Sequence, residues 1–387
     1  MKFMYALLAA APVALSAPIR EARGSAIAGE WLAVLKPEGS EDSILSSIAD
    51  TVGLTHHASY KIGGFRGLKL SSESDGLIDT LAALADIAYI EPDQTITVNT
   101  LETQEDATWG LARISSLEPG TSQYTYDDSA GEGTFAYIVD TGIYTAHEDF
   151  GGRAELGTSF VDGDAEGDGN GHGTHVAGTI GSTTWGVAKK TSLIAVKVLD
   201  AEGSGSLSNV VAGLEWVVND ATSKQRIGKA VANLSLGGSR LLDLGSTTND
   251  AAAAAVEAGV FLAVAAGNDG LPAFLSTPAS EPTVCTVGAT ERDDSKASFS
   301  NFGSLVDVFA PGVNITSTWN DGKTNTISGT SMASPHIAGL GAYLLALEGA
   351  RNPIELCERI QELAGDNAEV TGSLSSNNVL AYNGASS

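Results

Sequence analysis

Cysteine is scarce in this chain, with 2 residues among 387. So few thiols exclude a small scaffold held together by many disulfides, and they exclude a zinc site with four cysteine ligands. One disulfide bridge is still possible. The 45 glycines follow no three-residue period, which excludes collagen.

Basic residues are also few: 21 Lys and Arg stand against 47 Asp and Glu, a net charge of −26 with a pI near 4.4. A surface this acidic repels phosphate groups, so we expect neither nucleic acid nor an anionic membrane as a partner. Hydrophobic residues make up 43% of the chain, which is enough for a large core. At about 150 residues per domain, the length predicts two or three folded units.

The first 17 residues predict a secretory signal peptide. Lys2 supplies a positive end, an apolar stretch follows over 3–15, and small residues end the segment at Ala17. The apolar stretch is shorter than the roughly 20 residues of a membrane-spanning helix, and a buried N-terminal helix is the alternative. We therefore expect a secreted, extracellular protein, with a vacuolar destination as the alternative.

Residues 18–101 are predicted to form a small separate unit. Apolar periodicity between about 29 and 93 predicts the order strand–helix–strand–strand–helix–strand, with a turn at Gly63 and Gly64. That order is typical of a small α+β, ferredoxin-like domain. An ordinary binding domain and a removable pro-segment both remain open, and the position behind a signal peptide favours the pro-segment.

From residue 102 to 387, predicted strands alternate with predicted helices. Strands that are apolar along their whole length are buried on both faces, so we expect a mostly parallel sheet with helices on each side, an α/β three-layer sandwich. In such sheets the functional site gathers at the carboxyl ends of the strands, where Asp140 and Asn268 stand. The predicted strands are 134–142, 192–200, 229–238 and 260–268, and the predicted helices lie near 172–182, 206–220, 247–258 and 331–347.

Four short segments carry side chains suited to chemistry: Asp140-Thr-Gly, Asn-Gly-His172-Gly-Thr-His, Ala-Ala-Gly-Asn268 and Ser-Gly-Thr-Ser331. Each has a structural alternative. Asp140 and Asn268 could belong to turns, and Ser331 could be a helix N-cap. His172 could share a metal with His175, but this pair lacks the i, i+4 spacing and the Glu of helical zinc hydrolases.

Taken together, the four segments supply the parts of nucleophilic catalysis. A hydroxyl needs a neighbouring base, and the base needs a third group that fixes its tautomer. Ser331, His172 and Asp140 are residues of these types. Negative charge that develops on a carbonyl oxygen needs donors already in place, and the Asn268 amide and the Ser331 N–H are suitable. The order Asp, His, Ser is that of subtilisin.

The chain resembles the subtilisin family of serine peptidases, most closely its proteinase K branch. The resemblance covers 102–387 almost without a gap, and residues 29–100 resemble the family's inhibitory propeptide. It therefore implies a signal peptide (1–17), an inhibitory propeptide (18–101) and a subtilisin-like catalytic domain (102–387). The segments that carry it are Trp109-Gly-Leu-Ala-Arg-Ile, Asp140-Thr-Gly-Ile, Asn170-Gly-His-Gly-Thr-His, Gly186-Val-Ala-Lys-Lys, Ser235-Leu-Gly-Gly, Ala265-Ala-Gly-Asn and Ser328-Gly-Thr-Ser-Met-Ala-Ser-Pro-His.

The resemblance implies a secreted serine endopeptidase, made as a self-processing zymogen, that cuts proteins and peptides through an acyl-enzyme. Ser331 is then the nucleophile, His172 the base, Asp140 its orienting carboxylate and Asn268 an oxyanion donor. Two backbone edges are expected to pair with an extended substrate, and uncharged pocket walls favour a large apolar or aromatic residue before the scissile bond. The edges are Gly203, Ser204, Gly205 and Leu207 with Ser235, Leu236, Gly237 and Gly238, and Ala265, Ala266 and Gly267 form the facing pocket wall.

The resemblance also implies a Cys285–Cys357 disulfide and structural calcium, with no organic cofactor. The Pro282 and Val284 carbonyls with Asp307 match a family calcium site, and oxygen ligands suit that ion. The acidic loop 162–168 opens like an EF-hand but lacks the final glutamate, so we interpret it as a solvated loop. We expect a monomer whose own propeptide acts as an intramolecular inhibitor.

Two other functions stay open at this point. Carboxyl peptidases of the sedolisin type share a similar Ser loop, but they use Glu where His172 stands and Asp where Asn268 stands. A secreted binding protein that keeps the fold without turnover would not need the triad residues and the amide together. An imidazole base predicts activity that rises through about pH 6–7, whereas a carboxyl mechanism predicts a plateau down to about pH 4.

Overall fold

The computed structural model describes residues 16–20, 26–94, 100–161, 167–239, 247–365 and 368–385. Positions 1–15 of the predicted signal peptide lie outside these ranges. The described residues form two compact units, one N-terminal to position 98 and one C-terminal to it. Within the described ranges, each helix is too short or too polar to cross a membrane.

The N-terminal unit is a four-stranded antiparallel sheet packed against two helices. Its strand order, β2-β3-β1-β4, is that of a ferredoxin-like domain, as predicted. Strand residues such as Leu68 and Leu70 share a core with the helix residues Ile44 and Ile78. The elements are β1 (Ala26–Leu35), α1 (Glu41–Ala49), β2 (Leu54–Ile62), β3 (Phe65–Ser72), α2 (Asp75–Ala82) and β4 (Ile87–Gln94).

The C-terminal unit contains the long apolar strands and most of the helices. Its strands are β5 (Leu101–Gln104), β6 (Tyr124–Asp127), β7 (Phe135–Asp140), β8 (Ala154–Ser159), β9 (Ser192–Lys197), β10 (Ala230–Leu234), β11 (Gly238–Ser239), β12 (Phe261–Ala265), β13 (Ser276–Thr277), β14 (Cys285–Thr290), β15 (Val308–Pro311), β16 (Ile315–Thr318) and β17 (Thr324–Ile327). Its helices are α3 (Trp109–Ile114), α4 (His172–Gly181), α5 (Leu207–Ser223), α6 (Thr247–Glu257), α7 (Thr330–Glu348) and α8 (Pro353–Gly365).

Seven strands form a central sheet in the order β15-β14-β12-β10-β7-β9-β8, and each of these pairings is parallel. Alternate residues of a strand point to opposite faces. In β7, Ala136 and Ile138 therefore join the core beneath α4, α7 and α8, whereas Tyr137 and Val139 join the core beneath α5 and α6. Because both faces are covered, the inner strands β7, β10 and β12 are buried along almost their whole length, and the predicted α/β three-layer fold is confirmed.

The parallel arrangement places the carboxyl ends of β7, β10 and β12 at one edge of the sheet. The helices α4 and α7 pack on the same face of that sheet. Asp140 ends β7, and Asn268 follows β12 by three residues. This edge is therefore where the four candidate segments are brought together.

Candidate active site

Asp140 is the last residue of β7 and is fully buried. Its Oδ1 accepts hydrogen bonds from the Thr141 N–H at 2.8 Å and from Nδ1 of His172 at 2.7 Å. A carboxylate in a water-free site that accepts from a ring nitrogen fixes the tautomer of that ring. The Asp140 carboxylate therefore leaves Nε2 of His172 as the nitrogen available for proton transfer.

His172 begins α4, and glycines on both sides allow its close approach to Asp140. Gly171 has a φ of +107°, which L side chains rarely adopt. A Cβ on Gly173 would lie 2.1 Å from the Gly142 carbonyl oxygen, so the start of the helix fits against the turn after β7 only with glycine there. Burial lowers the pKa of His172, but the charge and hydrogen bond of Asp140 raise it more, and the net pKa is above its usual range.

Ser331 is the second residue of α7, and its contacts with Ser235 set its orientation. Pro335 has no N–H for the carbonyl four residues earlier in the helix, which is that of Ser331. The Ser235 hydroxyl donates to this carbonyl instead, at 2.8 Å. The Ser331 hydroxyl in turn donates to the Ser235 carbonyl at 3.2 Å. Within the described part of the chain it makes no hydrogen bond to the imidazole of His172, so attack requires a turn about its Cα–Cβ bond.

Within the residues that the structure describes, the Asn268 amide is hydrogen-bonded through its oxygen. Its Oδ1 accepts from the Thr330 N–H at 2.8 Å and from the Thr330 hydroxyl at 2.9 Å. The Thr330 hydroxyl also accepts from the Gly267 N–H at 3.2 Å. Because the amide oxygen is occupied, Nδ2 is the group that can donate beside Ser331. Thr330 is thus a site residue that the sequence analysis missed, although it lies inside the Gly-Thr-Ser segment.

The two predicted substrate edges lie at the ends of β9 and β10. On the first edge Leu207 is 61% exposed, and a Cβ at Gly205 would lie 2.3 Å from the Val198 carbonyl oxygen. On the second edge Ser235 is buried, and Gly238 pairs with Thr277 in the β11–β13 ladder. Ser235 thus contributes a hydroxyl that holds the nucleophile segment.

The predicted pocket wall begins at Ala265, the last residue of β12, and continues beyond the strand. Ala265 and Ala266 are buried, and the Ala266 carbonyl accepts from Nδ2 of Asn301 at 2.9 Å. A Cβ on Gly267 would lie 2.3 Å from the same nitrogen, so the chain passes close to Asn301 at this point. The wall is therefore built from backbone and small side chains, without charge.

His175, the second histidine of the metal alternative, is fully buried. Its Nε2 bonds to the Ile315 carbonyl at 2.9 Å, and burial lowers its pKa to about 4. His336 is similarly buried, with its pKa lowered to about 4 and Nδ1 bonded to the Met332 carbonyl. The group of possible metal ligands that converges within the described residues includes neither His172 nor His175. His175 and His336 are therefore neutral structural residues.

The predicted disulfide between Cys285 and Cys357 is confirmed. It joins β14 to α8, with 5.7 Å between the two Cα atoms. Since both thiols are used in this bond, neither cysteine can act as a thiolate metal ligand.

Asp307, the carboxylate of the predicted calcium site, lies beside this disulfide. Burial raises its pKa to about 6, and the hydrogen bond from the Thr286 N–H at 2.8 Å offsets this only in part. A buried carboxylate of this kind is stabilised by a hard cation, which also accepts carbonyl oxygens as ligands. The donor types of Asp307 and of the Pro282 and Val284 carbonyls therefore fit calcium.

The interpretation of 162–168 as a solvated loop is wrong at its last residue. Positions 162–166 lie outside the described residues. The Asp168 carboxylate, however, accepts five hydrogen bonds from Thr141, Asn170, Gly171 and Thr174. It is bound to the segments around Asp140 and His172, and the sequence signal for this was its place four residues before His172.

Comparisons with known proteins show the family of the chain. The profile of the subtilase family, peptidase S8, matches residues 131–380. Proteinase T of Parengyodontium album is 61% identical over 259 residues, 67% of this chain and 86% of that protein. The alkaline serine protease ver112 of Corniculantispora psalliotae is 48% identical over 382 residues, 98% of this chain and 97% of that protein. A crystal structure of a cold-adapted subtilisin-like serine proteinase matches with a TM-score of 0.67 and 43% identity, over 72% of this chain and 99% of the other. The chain therefore belongs to the subtilase family, peptidase S8, and is a serine endopeptidase of the proteinase K type.

Proposed function

We propose that the protein hydrolyses peptide bonds through a triad of Ser331, His172 and Asp140, with Asn268 as an oxyanion donor. The observation that carries this proposal is the 2.7 Å hydrogen bond between Nδ1 of His172 and the buried Asp140 carboxylate. This bond leaves Nε2 for the proton of Ser331 and stabilises the imidazolium that forms when Ser331 loses that proton.

The first chemical step begins with the Ser331 hydroxyl. It leaves the Ser235 carbonyl by rotating to another staggered position and donates to Nε2 of His172. Its oxygen then bonds to the substrate carbonyl carbon while the proton passes to Nε2. The imidazolium returns this proton to the leaving amine as the peptide bond breaks. Water repeats the sequence on the acyl-enzyme, releasing the acid and restoring Ser331.

The oxyanion that forms in both steps needs donors that are already oriented. Thr330 binds the oxygen of the Asn268 amide, which leaves Nδ2 as the donor of this group. The first N–H groups of a helix lack acceptors within the helix, so the Ser331 N–H at the start of α7 is a second donor. The result is charge stabilisation that needs little rearrangement during the reaction.

The specificity proposal rests on the absence of charge in the pocket walls over 236–238 and 265–267. Uncharged walls favour a large apolar or aromatic residue before the scissile bond. The edges that begin at Gly203 and at Ser235 are proposed to bind the substrate backbone, so little further sequence is read. A panel of peptides that differ only at this position tests the preference.

We further propose that the chain is secreted through residues 1–17 and that residues 18–101 are an inhibitory propeptide, removed by the enzyme itself. The ferredoxin-like unit precedes the catalytic unit in the chain, which supports this order of domains. The mature enzyme is proposed to be a monomer.

Structural calcium is common in this family. We propose that Asp307 and the carbonyls of Pro282 and Val284 hold one such ion. The ion would neutralise the buried carboxylate beside the disulfide and stabilise the loops at β14 and β15, without entering the reaction.

The test of the triad is Ser331→Ala. We expect this variant to lose peptide hydrolysis and to accumulate as an unprocessed precursor, because the same hydroxyl is used in both reactions. Hydrolysis by the native enzyme should rise as His172 loses its proton, and the raised pKa of His172 moves this limb to higher pH than for a free imidazole. Full activity maintained down to pH 4, or a Ser331→Ala precursor that still releases residues 18–101, contradicts the proposal.

A further inference from the structure

Asp168 lies in the loop before α4 and makes an unusually complete set of hydrogen bonds. Its Oδ1 accepts from the N–H groups of Asn170 at 3.0 Å and Gly171 at 2.8 Å, and from the Thr141 hydroxyl at 2.8 Å. Its Oδ2 accepts from the Thr174 N–H at 2.8 Å and from the Thr174 hydroxyl at 2.6 Å. The carboxylate therefore joins the loop, the first turn of α4 and the end of β7.

Two threonines extend these contacts. The Thr141 hydroxyl, which donates to Asp168, accepts from the Gly173 N–H at 2.9 Å. The Thr174 hydroxyl accepts from the Tyr144 N–H at 2.9 Å. Thr141 directly follows Asp140, while Gly173 directly follows His172. Asp168 thus holds Thr141, the neighbour of Asp140, directly, and it holds Gly173, the neighbour of His172, through Thr141.

We propose that Asp168 is a positioning residue of the active site, whose carboxylate fixes the turn after Asp140 against the start of α4 so that the His172 ring meets Asp140. This inference rests on the proposed triad function. Asp168 acts through its neighbours and does not contact the substrate.

A simple helix N-cap does not account for these contacts. An N-cap side chain satisfies free N–H groups of its own helix. Asp168 does this for α4, but it also binds Thr141, which lies on another element. The Asp168 carbonyl accepts from Nδ2 of Asn320 at 3.0 Å, so the turn between β16 and β17 holds the same residue from a third side.

The charge of Asp168 also raises the pKa of the general base, His172. The ionisable groups that shift the pKa of His172 are Asp140 from β7 and Asp168 from the loop, and His172 in turn lowers the pKa of the neighbouring His175 on α4. Burial lowers the pKa of His172, whereas Asp140 and, to a smaller degree, Asp168 raise it. A variant without this carboxylate charge should therefore move the acidic limb of the activity profile to lower pH.

The test compares Asp168→Asn with the native enzyme in kcat/KM, in the acidic limb and in melting temperature, using enzyme titrated with a serine-directed phosphonate. Asparagine keeps the shape but turns an N–H₂ group towards N–H donors. We expect a loss of about 10²-fold in kcat/KM, the typical cost of a misplaced catalytic group, and a limb at lower pH. Asp293→Asn is the matched control, because Asp293 caps Ser295 with two hydrogen bonds at an exposed site. This control variant should change neither kcat/KM nor the position of the acidic limb.

If Asp168→Asn does not fold, a second pair of variants tests the positioning role of Asp168. Thr141→Val removes the hydroxyl between Asp168 and Gly173, whereas Thr141→Ser keeps it. We expect Thr141→Val, which removes two hydrogen bonds, to lose roughly 5- to 150-fold in kcat/KM, and Thr141→Ser to retain native activity. Native kcat/KM in Asp168→Asn, or equal activity in the two Thr141 variants, overturns the inference. Peptide hydrolysis that survives Ser331→Ala would instead overturn the triad itself.

Discussion

Thr330→Val tests how the oxyanion donor is oriented. Thr330 is fully buried, and valine has the same shape without the hydroxyl. The change removes one of two hydrogen bonds on the Asn268 amide oxygen and leaves the Gly267 N–H without its acceptor. One hydrogen bond contributes about 0.5–1.5 kcal/mol, which converts to a loss of roughly 2- to 12-fold in kcat. The unpaired Gly267 N–H should cost about 1–3 kcal/mol in the free energy of unfolding.

The assay for Thr330→Val is the kcat of titrated enzyme on a peptide with an aromatic residue before the scissile bond, together with urea unfolding. Thr330→Ser is the control, because it keeps the hydroxyl. The loss should stay below the roughly 10²–10³ that removal of the whole amide donor costs in subtilisin. A Thr330→Val enzyme that is less stable but turns over at the native rate would refute the role of Thr330 in orienting Asn268.

Three further predictions concern stability. Replacing Cys285 and Cys357 by alanine opens a 72-residue crosslink and should cost about 4 kcal/mol in unfolding free energy; an unchanged urea midpoint contradicts this. Arg113→Met leaves the buried Asp294 without its two-fold ion pair and should cost about 3–5 kcal/mol in the same assay, so native stability would refute it. Because the pKa of Asp307 is raised to about 6, the calcium-free protein loses stability as pH rises through that value. EDTA should therefore lower the melting temperature more at pH 8 than at pH 4.5, and an equal effect contradicts the proposed site.

The sequence predicted the long sheet strands because each is apolar on both faces. It did not predict β8, β14 and β15, which are short or carry Gly and Thr within the strand, as Cys285–Thr290 does. The burial of β14 and β15 comes from neighbouring strands and helices and not from their own pattern, whereas half of the residues of the edge strand β8 are exposed. The helix α8 was also missed.

In the active site, too, the sequence indicates some features and not others. Asp140, His172, Asn268 and Ser331 could be found because their residue types and local segments carry a chemical signal. Their supporting contacts could not be found in this way. The Ser235–Ser331 exchange of hydrogen bonds spans 96 residues, and only the folded chain brings these partners together.

The central claim is that one hydroxyl, one imidazole, one carboxylate and one amide act on the same carbonyl group. A crystal structure of the mature enzyme with a peptide boronate tests it most directly, because boron forms a tetrahedral adduct with the nucleophile. We predict Ser331 Oγ bonded to boron and released from Ser235, with Nε2 of His172 and Nδ2 of Asn268 each about 2.6–3.2 Å from an adduct oxygen. A boronate bound elsewhere, with the 331 hydroxyl still on the Ser235 carbonyl, would contradict the account.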